Sequence, residues 1–292
     1  SGSTVLTFNY TVQPGDTSAD LEYLGTGALT LTGTASIKDA AGNNAGLTLP
    51  ALGSVNSLGG SKAIVIDGIA PEVSSVTSTL ANGFYTTGQI VPITVTFSEP
   101  VTYTAGTGVA QLQLETGATD RQAPYADGSG TTVLTFNYTV QAGDASSDLE
   151  YLSTDALTLT GTAAIMDAPG NNATLALPAL GSVNSLGGSK AIGIDTTPPT
   201  GTVVIDGGAA YTVNQDVTLT LTPDDGSGSG VAQMQFSNDG SSWSGWENVA
   251  SSKAWTLSAG FGAKTVYVQY RDQADNVSVD VIADTISYDD VV

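Results

Sequence analysis

The chain contains a long, near-perfect copy of part of itself. Residues 5–67 align with residues 133–195 at an offset of 128; of these 63 positions 11 differ and 52 are identical. The run VLTFNYTVQ begins unchanged at Val5 and at Val133, and LPALGSVNSLGGSKAI begins unchanged at Leu49 and at Leu177. Self-similarity over such a length marks a repeat array, in which each unit is one folded assembly followed by its neighbour. Each copy ends in Asp followed closely by Pro, IDGIAP at 66–71 and IDTTPP at 194–199. Proline fixes φ and stiffens a short linker. The expected domains are residues 1–68, the C-terminal part of a repeat; 69–197, a complete repeat; and 198–292, a module of different sequence. Ser1 corresponds to Ser129, so the first unit is expected to lack strands and not to stand alone.

The local pattern is that of strands. In VLTFNYTV, Leu134, Phe136, Tyr138 and Val140 fall on one face and Thr135, Asn137 and Thr139 on the other, the two-residue period of a half-buried strand. The same alternation predicts strands at 90–97, 109–115, 216–222, 231–237 and 264–272, separated by Gly, Asn and Asp turns. Helix is expected only as one turn in DASSDLEYL, residues 144–152. The fold class is therefore all-β.

Composition narrows the chemistry. Asp and Glu number 28 against 7 Lys and Arg, a net charge of −21. Nucleic acid is excluded as a partner, because binding it needs clustered cationic side chains. An anionic membrane surface is disfavoured for the same reason, and no stretch has the apolar length of a membrane span. The chain has no Cys and no His, which removes disulfides, thiolate nucleophiles, Cys/His zinc sites and Ser-His-Asp catalysis. Acidic side chains then serve either solubility or the binding of hard cations, which prefer carboxylate and carbonyl oxygens.

Several motifs carry a stronger resemblance. The run NGFYTTGQIVPITVTFSEPV (82–101), followed by DLEYL, DAPGNN and KAIGIDTTPP, resembles the immunoglobulin-like repeats of very large bacterial surface proteins and adhesins. The stretch AAYTVNQDVTLTLTPDDGSGSGVAQMQFSNDGSSWSGWENV (209–249) resembles a second immunoglobulin-like family found beside enzymes and adhesive modules on bacterial surfaces. Both resemblances imply tandem immunoglobulin-like β-sandwich domains, displayed outside the cell.

That topology gives the acidic turns a possible common purpose. In such a sandwich the loop after the second strand and the loop after the sixth lie where the chain enters the domain. The linker brings Asp195, the second strand leads into Asp224 and Asp225, and the sixth ends at Asp272, followed by Asp275. A Ca²⁺ ion at this junction is the expectation, with Asp67, Glu99 and Asp167 as counterparts at the junction before. The plainer reading of the D-x-x-G-N turns at 39 and 167, and of the variant D-Q-A-D-N at 272, is a tight connection in which Asp caps the turn. The clusters Asp16, Asp20, Glu22 and Asp144, Asp148, Glu150 are read as turn caps. Trp243, Trp246 and Trp255 occur only in the last module, where core packing is expected for at least one. Lys62 and Lys190 stand ahead of the final strand of each copy. The N-x-T/S triplets at Asn9, Asn137, Asn172 and Asn276 match a glycosylation pattern but are read as a by-product of Thr-rich strands. The acidic pairs recur from copy to copy, which is not expected of a catalytic site, so the chain is read as no enzyme. The expected function is an extracellular spacer, its partners being neighbouring repeats of the same protein. The alternatives are direct adhesion to a surface glycan, or a filament subunit completed by strand exchange with other copies of itself.

Overall fold

A computed structural model describes residues 2–289. The chain divides into two compact units, Ser1–Pro71 with Met166–Ala173, and Glu72–Ile165 with Thr174–Val292. Strands dominate, and among the described residues the α-helix is limited to two four-residue turns, Leu58–Ser61 and Leu186–Ser189. These turns occupy equivalent positions in the two copies. Each begins at a serine, Ser57 or Ser185, whose side chain accepts from the backbone N–H of Gly60 or Gly188.

In the second unit, the complete repeat is organised around the strand Ile90–Thr104. It pairs antiparallel with Val73–Ser78 on one side and Thr131–Thr139 on the other. The ladder continues from Thr131–Thr139 to Arg121–Asp127 and on to Ala110–Glu115. A separate three-stranded sheet joins Gly83–Tyr85, Ile192–Asp195 and Ala145–Ser146. Alternation does the packing: Val91, Ile93, Val95 and Phe97 face inward to meet Leu112, Leu114, Leu134, Phe136 and Tyr138, all buried. Asp144 is also buried. It accepts from the Tyr138 hydroxyl at 2.7 Å and from Arg121 Nε at 2.7 Å. An inward charge is thereby paired and hydrogen-bonded, which burial of a carboxylate requires.

The last module is a three-on-five sandwich. One sheet joins Thr200–Ile205, Asp216–Asp224 and Ser252–Thr256. The other runs Tyr211–Thr212, Ile282–Tyr288, Gly262–Asp272, Val231–Ser237 and Glu247–Asn248. Val203, Ile205, Val217, Leu219, Leu221, Phe236, Val266, Val268 and Tyr270 form the core between them. Tyr270 donates its hydroxyl to the Thr202 carbonyl across the sandwich at 3.0 Å, and burial pushes its pKa up to about 12. The fold class is thus all-β, with tandem immunoglobulin-like sandwiches.

One expectation needs correction. Residues 144–152 form no helical turn. Ala145–Ser146 pairs with Ile194 and Asp195, and Glu150–Tyr151 pairs with Glu115 and Leu114. Burial of Leu149 and Tyr151 on sheet partners outweighs the local capping pattern. Within the first unit, residues 5–13 pair with no strand among the described residues, although the identical sequence is a central strand in the second copy. Among the described residues of that unit, the one strand pair joins Thr17–Ser18 to Ile66–Asp67.

Candidate metal centre

Three strand ends converge where the complete repeat hands over to the last module. Ile192–Asp195 is buried along its whole length and delivers Asp195 into the junction. Asp216–Asp224 ends one residue before Asp225, and Gly262–Asp272 ends on Asp272. One carboxylate oxygen from each of Asp195, Asp225 and Asp272 lies within 4.8 Å of the others. Asp195 and Asp272 are buried, and Asp225 is half-buried.

Strand parity explains the selection. Along Asp216–Asp224 the residues 217, 219 and 221 face the core, so Asp224 falls on the outward face with 216, 218, 220 and 222. Asp224 is exposed, and its Oδ1 accepts from the Gly226 N–H. In Gly262–Asp272 the even positions from Val266 onward face inward, which carries Asp272 into the interior. Asp275 is exposed and sits at φ 66°. Its carboxylate lies 3.5 Å from Arg271, away from the group. Of the five carboxylates expected at this junction, Asp195, Asp225 and Asp272 come together, and Asp224 and Asp275 do not join them. Of the other three expected residues, Asp67 and Asp167 belong to the first unit and Glu99 to the second. Asp167 caps its own turn, accepting from the N–H groups of Gly170 and Asn171 at 2.7 Å each, and Asn171 Nδ2 donates to the Asp67 carbonyl at 3.0 Å.

Backbone donors fix the three junction carboxylates. Ser229 N–H donates to Asp195 Oδ2 at 2.6 Å and Thr197 N–H to Asp195 Oδ1 at 3.0 Å. Gly230 N–H donates to Asp225 Oδ2 at 2.6 Å. Asp272 Oδ1 accepts from Ala274 and Asn276, each at 2.8 Å, and its Oδ2 accepts from Asn276 Nδ2 at 2.8 Å. Asn276 Nδ2 also donates to the Asp195 carbonyl, and its Oδ1 accepts from the Thr86 hydroxyl. Sequence reasoning passed over Gly228 and Ser229 as parts of this site. The Gly-Ser-Gly-Ser-Gly run after Asp225 is the signal that could have pointed to both. A Cβ on Gly228 would stand 2.6 Å from Asp225 Oδ2 and 2.8 Å from Asp195 Oδ2, so only glycine lets the loop lie this close.

The electrostatics remain unbalanced. Burial, then the neighbouring carboxylates of Asp195, Asp272 and Asp224, raise the pKa of Asp225 against the lowering effect of the Gly230 hydrogen bond. Burial, with Asp195 nearby, also raises that of Asp272 despite its hydrogen bonds from Asn276. The ion pairs Arg121–Asp144, Lys253–Glu247 and Arg271–Asp275 all lie elsewhere. Asp225 Oδ1 is buried and has no hydrogen-bond partner. An all-oxygen donor set with like charges in contact and one orphaned oxygen fits a hard divalent cation. A separation of up to 4.8 Å is twice a Ca–O distance of about 2.4 Å.

The remaining motifs have structural roles. Glu22 Oε2 accepts from Gly59 N–H at 3.1 Å and so holds the helical turn against the DLEYL segment. Trp255 packs on the core and donates Nε1–H to Asn238 at 2.8 Å. Trp246 lies under the Arg271 guanidinium, 4.7 Å from ring centre to Cζ. Trp243 lines a small groove of about 180 Å³ with Tyr267 and Val281. Lys190 Nζ donates to the Leu80 carbonyl at 2.8 Å. No helix among the described residues is long and apolar enough to cross a membrane.

No protein family is matched by the sequence, and no curated protein matches it. Solved structures with partial similarity include fibronectin(III)-like modules of Clostridium thermocellum CbhA, at 17% identity over 73% of this chain and 92% of that one, with a TM-score of 0.29. A tetra-tandem repeat from the extending region of a large adhesion protein matches at 18% identity over 78% of this chain and 51% of that one, with a TM-score of 0.28. The FN1–FN3 domains of chicken CNTN1 match at 8% identity over 77% and 68%, with a TM-score of 0.33. These superpositions are loose, and the fold assignment rests on the strand pairing and cores described above.

Proposed function

We propose that the chain is a non-catalytic spacer of a large extracellular bacterial surface protein, stiffened by Ca²⁺ where one domain hands over to the next. The observation that carries this reading is the junction cluster of Asp195, Asp225 and Asp272, two of them strand ends and the third the first residue after a strand. A cation held there would tie the linker to both loops and remove hinge freedom. It would also quench the repulsion that the three carboxylates otherwise exert on one another. Near-identical tandem copies suit a part whose task is to set length. The absence of His and Cys removes imidazole bases and thiolate nucleophiles.

The test is thermal unfolding of the full chain with excess Ca²⁺ and with chelator. At a free concentration about 100 times the dissociation constant, binding to the folded state alone is expected to add about 2.7 kcal/mol. Asp225→Asn and Asp272→Asn are each expected to abolish most of that gain. A melting temperature indifferent to Ca²⁺ would reduce the cluster to turn formers.

A further inference from the structure

The turn that ends in Asn276 is built in the same way at three places in the chain. Asp39, Asp167 and Asp272 each donate their backbone N–H to the carbonyl of the Asn four residues on, at 3.0–3.1 Å. Those residues, Asn43, Asn171 and Asn276, return a backbone N–H to the Asp Oδ1 and a side-chain Nδ2–H to its Oδ2, all at 2.7–2.8 Å. The residues between differ, A-A-G, A-P-G and Q-A-D, so the Asp and the Asn define the turn. Once the turn is closed, the Asn amide keeps one N–H and its oxygen for other partners.

Two of these turns spend that N–H on the same kind of target. Within the first unit, Asn171 Nδ2 donates to the Asp67 carbonyl at 3.0 Å; within the second, Asn276 Nδ2 donates to the Asp195 carbonyl at 3.1 Å. Both targets are the last residue of a strand, Ile66–Asp67 or Ile192–Asp195. Both strand ends bend in the same way, Asp67 Oδ1 accepting from Ile69 N–H at 3.1 Å and Asp195 Oδ1 from Thr197 N–H at 3.0 Å. The residues that follow differ, G-I-A-P against T-T-P-P. The turns themselves lie in unlike sequences, one in the repeat and one in the last module. Asn276 goes one step further: its Oδ1 accepts from the hydroxyl of Thr86, next to the strand Gly83–Tyr85 of the repeat.

We infer that the D-x-x-x-N turn is a docking site for the strand end that precedes a module, and that its Asn selects the partner. The partner is a strand ending in Ile-Asp, bent by its own carboxylate, with the Asp carbonyl presented to the amide. Neither Asp nor Ser in place of Asn276 could donate to Asp272 and to the Asp195 carbonyl at once. The bonds that cross the junction join neutral groups, so this joint holds without a cation. It also belongs to no single module type, and a module carrying the turn can follow any module that ends in Ile-Asp.

The test reads the junction of the full chain in chelator, so its outcome is independent of whether a cation binds Asp195, Asp225 and Asp272. Spin labels at Ala118→Cys in the repeat and Ala250→Cys in the last module, both exposed, report the distance distribution across it. Loss of one neutral hydrogen bond shifts an equilibrium about fivefold. Thr86→Val leaves the last module untouched and is expected to raise the undocked, broadly distributed fraction about fivefold. Asn276→Ala loses two such bonds and is expected to raise it about twentyfold. Gln273→Ala with Asp275→Gly rewrites the turn as the D-A-A-G-N of residues 39–43 and is expected to keep the parent distribution. Parent-like distributions in both Thr86→Val and Asn276→Ala would overturn the proposal and leave Asn276 a turn former only. So would a rewritten turn that broadens the distribution as much as Asn276→Ala, because the joint would then depend on this module's own turn sequence.

Discussion

At the scale of single residues, side-chain direction divides the acidic turns into those that face one another and those that face water. Asp275 occupies the position that Gly170 fills in the equivalent turn of the repeat, φ 66° against 102°. A left-handed non-glycine residue costs about 1–2 kcal/mol, and the exposed pair with Arg271 returns no more than about 1 kcal/mol. Asp275→Gly is therefore expected to leave denaturant stability unchanged or raise it by up to about 1 kcal/mol, with the response to Ca²⁺ intact. Gly228→Ala is expected to do the reverse to the cation, cutting calorimetric affinity at least about tenfold, because its methyl would press on two of the carboxylates. Asp239 gives the pH dependence a separate handle. The N–H groups of Ser242 and Ser241 hold its carboxyl well below the ordinary value of 3.8. A depressed folded-state pKa gives stability that is fully present above the unfolded value and is lost as pH falls below it. Acid titration of Asp239→Ala should accordingly show a smaller loss of stability below pH 3.8 than the parent chain.

At the scale of elements, the period of two located the strands well because each has one face in a core. The stretches 231–237 and 264–272 are strands as read, and 90–97 is part of a longer strand reaching Thr104. Parity would also have separated Asp225 and Asp272 from Asp224, had it been carried to the strand ends. Two things were not legible. The caps and carboxylates of residues 144–152 suggested a helical turn, but pairing with residues 114–115 and 194–195 decides their conformation, and those partners are distant in sequence. VLTFNYTVQ is a strand in one copy and unpaired in the other, so its state belongs to its neighbours. This makes a paired mutational test possible. Phe136→Ala should lower stability by about 3–5 kcal/mol, as for a fully buried ring, while Phe8→Ala in the same chain should stay within about 0.5 kcal/mol of the parent. Equal effects in a denaturant series would mean that Phe8 is packed in solution.

At the scale of the whole molecule, the duplication, the all-β modules and the acidic junction describe a part built in series. Asp195 ends the last strand of the repeat, and the Asn276 side chain of the next module holds its backbone carbonyl. The linker is therefore already tethered at one point, and a cation on Asp195, Asp225 and Asp272 would tether it at three. Stiffening of the junction can be measured as a distance distribution. The chain has no cysteine, so Ala118→Cys in the repeat and Ala250→Cys in the last module, both exposed, can be spin-labelled without background. Pulsed electron–electron resonance should give a narrow distance distribution with excess Ca²⁺ and a broader one with chelator, and Asp225→Asn should stay broad in both. Identical widths with Ca²⁺ and with chelator in the parent chain would mean that no cation stiffens this junction.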